Sequence, residues 1–198
     1  TVLTHKEYET VRGVADAIGM DATARVAMSA GRSEVTIAWK DEEAGVWCRC
    51  RPDWLPDSVV NGGDVRAVTD LKFMAPDNCS PQGFANAIRK FGYHMSAGFY
   101  STGIEKVFGY APTHWLHLVI EKAPPFTVSP YVLPAADIER GKAQMRIALR
   151  KFADCLAADK WPGYADGPID VGLGSFDRRL IDQFGSRQDE ALFNSAQD

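Results

Sequence analysis

Two carboxylates at the ends of extended segments constrain this chain more than any other feature. Asp53 closes the run Val46-Trp47-Cys48-Arg49-Cys50-Arg51-Pro52, and Asp70-Leu71-Lys72 lies at the end of the apolar stretch Val65 to Phe73. Side chains on a strand alternate faces, so Asp70 and Lys72 point one way and Leu71 points into the core. If adjacent strands bring the two acids together, they can hold Mg²⁺, a hard ion that prefers oxygen ligands and keeps waters for chemistry. A lysine beside them can orient an attacking water and stabilise charge on a phosphate. Alone, an Asp-x-Lys triplet describes many solvated strand edges. Its weight comes from what surrounds it.

A chain of 198 residues can bury a core without disulfides, and it reads as one domain. Its hydrophobic share of 45% and charged share of 24% are ordinary globular values. The net charge of −4 excludes a protein that coats nucleic acid through a general positive surface, so any DNA contact must be local. There is neither a run of eighteen apolar residues nor a signal peptide, so a cytoplasmic protein with no membrane partner is expected. A first residue of Thr1 rather than Met reads as a trimmed or partly observed polypeptide. The four cysteines, Cys48, Cys50, Cys79 and Cys155, show no zinc-type spacing and read as free thiols.

Thr4 and Glu7 form a capping box, after which Val11, Val14, Ala15 and Ile18 recur at helical spacing. Asp21 caps a second short helix through Met28, stopped by Gly31. Three extended runs follow, Glu34 to Lys40, Val46 to Asp53 and Val65 to Met74, joined by Asp41–Gly45 and by a connection containing Asn61-Gly62-Gly63. Ser80-Pro81 starts a helix running to about Tyr100. Trp115–Ile120 reads as a buried strand ended by Pro124-Pro125, and Ala135–Ala158 as a long amphipathic helix. The predicted fold is therefore α/β (α+β), a mixed central sheet flanked by helices. Its domain spans residues 1–164, with N-terminal helices over 4–30 and a core over 34–164. Residues 165–198 form a tail, helical or disordered.

This order resembles the αβββαβ core of the PD-(D/E)XK nucleases, the restriction-endonuclease-like fold, and within them the exonuclease VIII (RecE) type of phage and bacterial recombination. The segments that carry the likeness are Cys-Arg-Cys-Arg-Pro-Asp at 48–53, Asp-Leu-Lys at 70–72, Tyr93-His94 leading to Phe99-Tyr100, and Ala153-Asp154-Cys155-Leu156 with Trp161-Pro162. The resemblance implies Mg²⁺-dependent hydrolysis of duplex DNA from a free end, with Mn²⁺ as an alternative ion. It implies a homo-oligomeric ring, and a single-strand annealing recombinase as a partner. Asp53 and Asp70 match the family's metal-binding acids, the Leu71 carbonyl completes the metal shell, Lys72 matches the catalytic lysine, and Tyr100 matches the tyrosine of a Q-x-x-x-Y motif. Ser96 replaces the glutamine of that motif. The family's upstream histidine has no counterpart either, since His5 sits in a different pattern. Either its helix lies outside this chain or the site holds metal less well.

The remaining candidates carry two readings each. Glu34 is a further metal ligand, direct or through water, or simply a solvated strand start. Arg49 and Arg51 share the Asp53 face by period-two spacing; they bind DNA phosphates or neutralise acids within the protein. Tyr93, Ser96 and Tyr100 share a helix face that looks into the site or into the core. Lys142, Arg146 and Arg150 form a basic stripe, either a solvated face or a DNA track. His94, His114 and His117 read as structural. Two other functions compete with an exonuclease: an endonuclease of the same superfamily, and a DNA-end-binding module that keeps the fold without catalysis.

Overall fold

The computed structural model describes residues 2–186. Its first helix, α1 (His5–Met20), starts at the expected capping box: Thr4 N and Oγ1 both donate to Glu7, whose own N–H returns to Thr4 Oγ1. The Asp21 carboxylate caps α2 (Ala22–Ala27) through the Ala24 N–H at 2.7 Å. That helix closes at its C-cap Met28, where the sequence ends it, and Gly31 already belongs to a strand.

Two of the expected strands are shorter than predicted, and each has an unexpected short strand beside it. The run Glu34 to Lys40 is strand only as β2 (Ile37–Asp41); β1 (Gly31–Ser33) comes before Glu34, which takes φ +56°. The run Val46 to Asp53 is strand only as β3 (Val46–Cys50); β4 (Trp54–Pro56) comes after Pro52, which has no N–H for a ladder. The short strands join a different sheet. β2 and β3 make a two-stranded hairpin. β1 and β4 join β5 (Ala67–Met74), β6 (His114–Glu121) and β7 (Val128–Leu133) in a five-stranded sheet of order β1-β4-β5-β6-β7. Only the β5–β6 pair is parallel, so the sheet is mixed, as expected. β7 escaped the sequence reading because Pro130 interrupts its pattern. An edge strand tolerates a proline there, since its outward N–H needs no partner.

The connection from β4 to β5 holds a short helix, α3 (Asp57–Asn61). The helix expected from Pro81 to Tyr100 is two helices, α4 (Pro81–Phe91) and α5 (Tyr93–Phe108), divided by Gly92 at φ +68°. The long helix α6 runs over Ala135–Ala158, as its periodicity predicts. α5 crosses α6 at two glycines: a Cβ on Gly98 would stand 2.5 Å from the Lys142 nitrogen, and one on Gly141 would meet the His94 carbonyl. The main core gathers Ile37, Trp39, Cys48, Val68, Ile104 and Trp115 among the hairpin, the sheet and α5. The opposite face of the sheet packs Leu116 and Leu118 with Leu71, Ile18 and Ala24 beneath α1 and α2.

The chain forms two compact units, Thr1–Asp159 and Lys160–Asp198. The second contains α7 (Ser175–Ser186); the rest of the expected tail, 187–198, lies outside the described residues. Among the described residues no helix is long and apolar enough to cross a membrane.

Candidate active site

Strand register draws one line of chemistry-bearing residues across the five-stranded sheet. Antiparallel pairing of Ser33 with Trp54, continued by one residue, sets Glu34 against Asp53, and the Glu34 N–H donates to the Asp53 carbonyl at 3.2 Å. Pairing of Trp54 with Thr69 likewise sets Asp53 against Asp70. The parallel β5–β6 register places Asp70 beside His117, and β6–β7 places His117 beside Tyr131. Residues directly opposite one another on adjacent strands share a face. The row Glu34, Asp53, Asp70, His117, Tyr131 is the result.

The two acids are tied to the same dipeptide. Asp53 Oδ2 accepts the Leu71 N–H at 2.7 Å, and Asp70 Oδ2 takes both a close ion pair from Lys72 Nζ and the His117 Nδ1 bond at 2.9 Å. With Asp70 ionised, the geometry assigns the His117 proton to Nδ1. These bonds all fall on Oδ2, and neither Oδ1 has a hydrogen-bond or ion-pair partner among the described residues. Lys72 Nζ also approaches the Leu71 carbonyl at 3.4 Å and lies 4.9 Å from the centre of the Tyr93 ring.

The two carboxylates differ electrostatically. Burial pushes the Asp53 carboxyl above its usual range; the Leu71 N–H opposes that, and neighbouring Asp70 adds to it. Burial also works against ionised Asp70, but the His117 bond and the Lys72 ammonium outweigh it and hold its carboxyl below the usual range. Asp70 is thus the more acidic member of the pair.

Asp53 opens on a cavity of about 550 Å³ lined also by Glu34, Thr36, Arg49, Cys50, Arg51 and Tyr100. Arg49 and Arg51 therefore reach the Asp53 cavity although one uninterrupted strand does not carry all three. Arg51 Nε pairs with Glu34 at 2.7 Å, while Arg49 makes no ion pair among the described residues. Glu34 does not open a strand, as the sequence suggested. It sits in the turn after β1 in a left-handed conformation that costs on the order of 1–3 kcal/mol. Burial raises the Tyr100 phenol above its ordinary range, with Cys50 and the two acids adding to it.

Other candidates fall elsewhere. Tyr93 lies against Lys72 rather than in the cavity, and Ser96 is exposed. His94 bonds Gln144 at 2.7 Å. The basic stripe on α6 is taken up by acids: Arg146 binds Asp41 in a bidentate pair at 2.7 Å, Arg150 binds Glu43 at 2.6 Å and Lys142 binds Glu139 at 2.8 Å. It is therefore not a free DNA track. His117 is the residue that sequence reasoning missed in this site. Only the register that sets it beside Asp70, 47 positions away, would have revealed it.

A divalent ion suits this donor set in kind. Asp53, Asp70 and the Leu71 carbonyl offer only hard oxygens, the chemistry of Mg²⁺ and Mn²⁺ sites. Among the described residues no group of three or more His, Cys, Asp or Glu gathers around one point. An ion here would rest on two acids, one carbonyl and waters.

Among solved structures, one from Eubacterium rectale described as "Putative exonuclease" matches with a TM-score of 0.61 at 13% identity, over 89% of this chain and 69% of that one. That likeness concerns the fold. A second, SSO0001, reaches a TM-score of 0.36 at 16% identity over 72% of this chain and 61% of its own, and no argument rests on it. No curated protein matches. The family described as a PDDEXK-like domain of unknown function (DUF3799) matches residues 2–170, nearly the whole described chain, and the protein belongs to it.

Proposed function

We propose that the protein is a divalent-metal-dependent deoxyribonuclease of the exonuclease VIII type, hydrolysing phosphodiester bonds from the ends of duplex DNA in bacterial or phage recombination. One observation carries the reading: Asp53 accepts the N–H of Leu71, the residue between Asp70 and Lys72, so both acids and the lysine meet at one point. Asp53, Asp70 and the Leu71 carbonyl would hold Mg²⁺, or Mn²⁺ in its place. The ion supplies Lewis acidity at the scissile phosphate. Lys72 orients the attacking water and stabilises charge on the phosphate oxygens. His117 holds in place the Asp70 carboxylate that would bind the ion. Arg49 takes a substrate phosphate, and Arg51 does the same on exchanging Glu34 for it. Glu34, once released, supplies a further oxygen to the ion or its waters. Tyr100 donates to the strand from the cavity wall; Tyr93, beside Lys72, and Ser96, on the exposed face one turn on, would meet the strand outside the cavity. The free cysteines suit a reducing cytoplasm.

A net charge of −4 gives a monomer little sequence-independent grip on DNA, and a closed homo-oligomer would retain it by topology instead. An annealing recombinase would take up the single strand left behind. The test is digestion of end-labelled linear and covalently closed circular duplex, with Mg²⁺ and with EDTA. The reading expects the linear duplex alone to be degraded, and only with Mg²⁺. Cutting of the circle turns it into an endonuclease. A second reading, an end-binding module without catalysis, is favoured by the two-acid donor set; DNA-end binding with Mg²⁺ present and no cleavage would establish it.

A further inference from the structure

Phe91 is a large apolar side chain left 56% exposed at the end of α4, yet it is far from isolated. Gly92, in its left-handed conformation, turns the chain so that the Phe91 ring stacks on Tyr93 with centroids 5.6 Å apart and planes 26° apart. Tyr93 also packs beside Phe84 and His117, and the Lys72 ammonium lies 4.9 Å from its ring centre. A stacked aromatic pair thus leads from the candidate catalytic lysine to the surface. There Phe91 borders a cavity of about 400 Å³ with Asn78, Asn86, Arg89 and Lys90. Neither Arg89 nor Lys90 forms an ion pair among the described residues, and Lys90 Nζ stands 5.3 Å from the Phe91 ring centre. Two cations without acid partners beside an exposed stacked ring suit a planar, anionic occupant.

We propose that Phe91 is a stacking platform for one unpaired nucleobase of the strand held at the Asp53/Asp70/Lys72 site, with Arg89 and Lys90 on its phosphates. This rests on the nuclease reading and adds where the strand runs. Aromatic stacking is sequence-tolerant because every base presents a π-face. The platform therefore grips single-stranded ends without selecting sequence.

The test measures affinity for a short fluorescent single-stranded oligonucleotide, with Ca²⁺ replacing Mg²⁺ to suppress cleavage, for the wild-type protein, Phe91→Ala and Phe91→Trp. Thermal melting checks that the variants fold. Phe91→Ala should weaken binding about ten-fold or more, and Phe91→Trp should restore it. Moving a single abasic position along the oligonucleotide should find one site that costs the wild type a similar factor and costs Phe91→Ala nothing further. Unchanged binding by Phe91→Ala, or losses that simply multiply, overturns the platform while wild-type cleavage keeps the nuclease reading. A wild type that neither binds nor cuts DNA overturns both.

Discussion

Lys72 and His117 both touch Asp70 Oδ2, but their removal should have different consequences. In the proposed mechanism Lys72 faces the attacked phosphate, so Lys72→Ala should lower the cleavage rate by about 10²- to 10³-fold while leaving the melting temperature and most DNA affinity in place. A near-native rate in a preparation free of contaminating nuclease would remove the lysine from the mechanism. His117 is buried behind the carboxylate, with its Nε2 unpartnered, and reaches the reaction only through Asp70. His117→Phe keeps a ring among Phe84, Tyr93 and Trp115 but deletes the donor to Asp70. Calorimetric titration with Mg²⁺ should then show about 10- to 100-fold weaker binding, whereas Asp70→Ala should abolish the heat of binding altogether. Unaltered Mg²⁺ affinity in His117→Phe would make that histidine a packing residue only.

Between elements, the contact of α5 with α6 and the clasp of α6 on the hairpin are the joints to test. Gly141→Ala puts a Cβ onto the His94 carbonyl, backbone that cannot swing aside, so the helices must part; urea titration should show a loss of about 1–3 kcal/mol. At the clasp, the Arg146 guanidinium, helped by the Ala44 N–H, outweighs burial and holds the Asp41 carboxyl down at about 2. A carboxyl depressed by folding adds stability that is complete above its unfolded pKa and disappears as pH falls through the folded value. Melting temperature should accordingly drop between about pH 4 and pH 2, and Asp41→Asn should flatten that acid limb. Periodicity and caps made α1, β5, β6 and α6 legible in the sequence, because their patterns are local. The short strands β1 and β4, just before Glu34 and just after Asp53, were not legible, since only tertiary pairing makes strands of such short segments. For the same reason Asp53, Asp70 and Lys72 could be named from their spacing, but His117 and the acids that bind Arg146 and Arg150 could not. Those partners lie 47 to 107 positions apart.

For the whole molecule, the proposed ring makes a hydrodynamic claim. Sedimentation velocity should find a homo-oligomer, and digestion begun on one DNA should resist competitor added after loading. A strict monomer that digests distributively would refute the ring and leave the Asp53/Asp70/Lys72 site untouched. The line of residues across the sheet has a consequence for how the molecule comes into being. Each member of Glu34, Asp53, Asp70 and His117 is contributed by or beside a different strand, and the pairs are set by registers between strands well separated in sequence. A slip of one residue at either junction would turn an acid to the opposite face. A nascent or half-folded chain therefore carries every reactive side chain but no reactive centre. Chemical competence arrives only with completed assembly, which keeps a DNA-degrading chain harmless while it is being made.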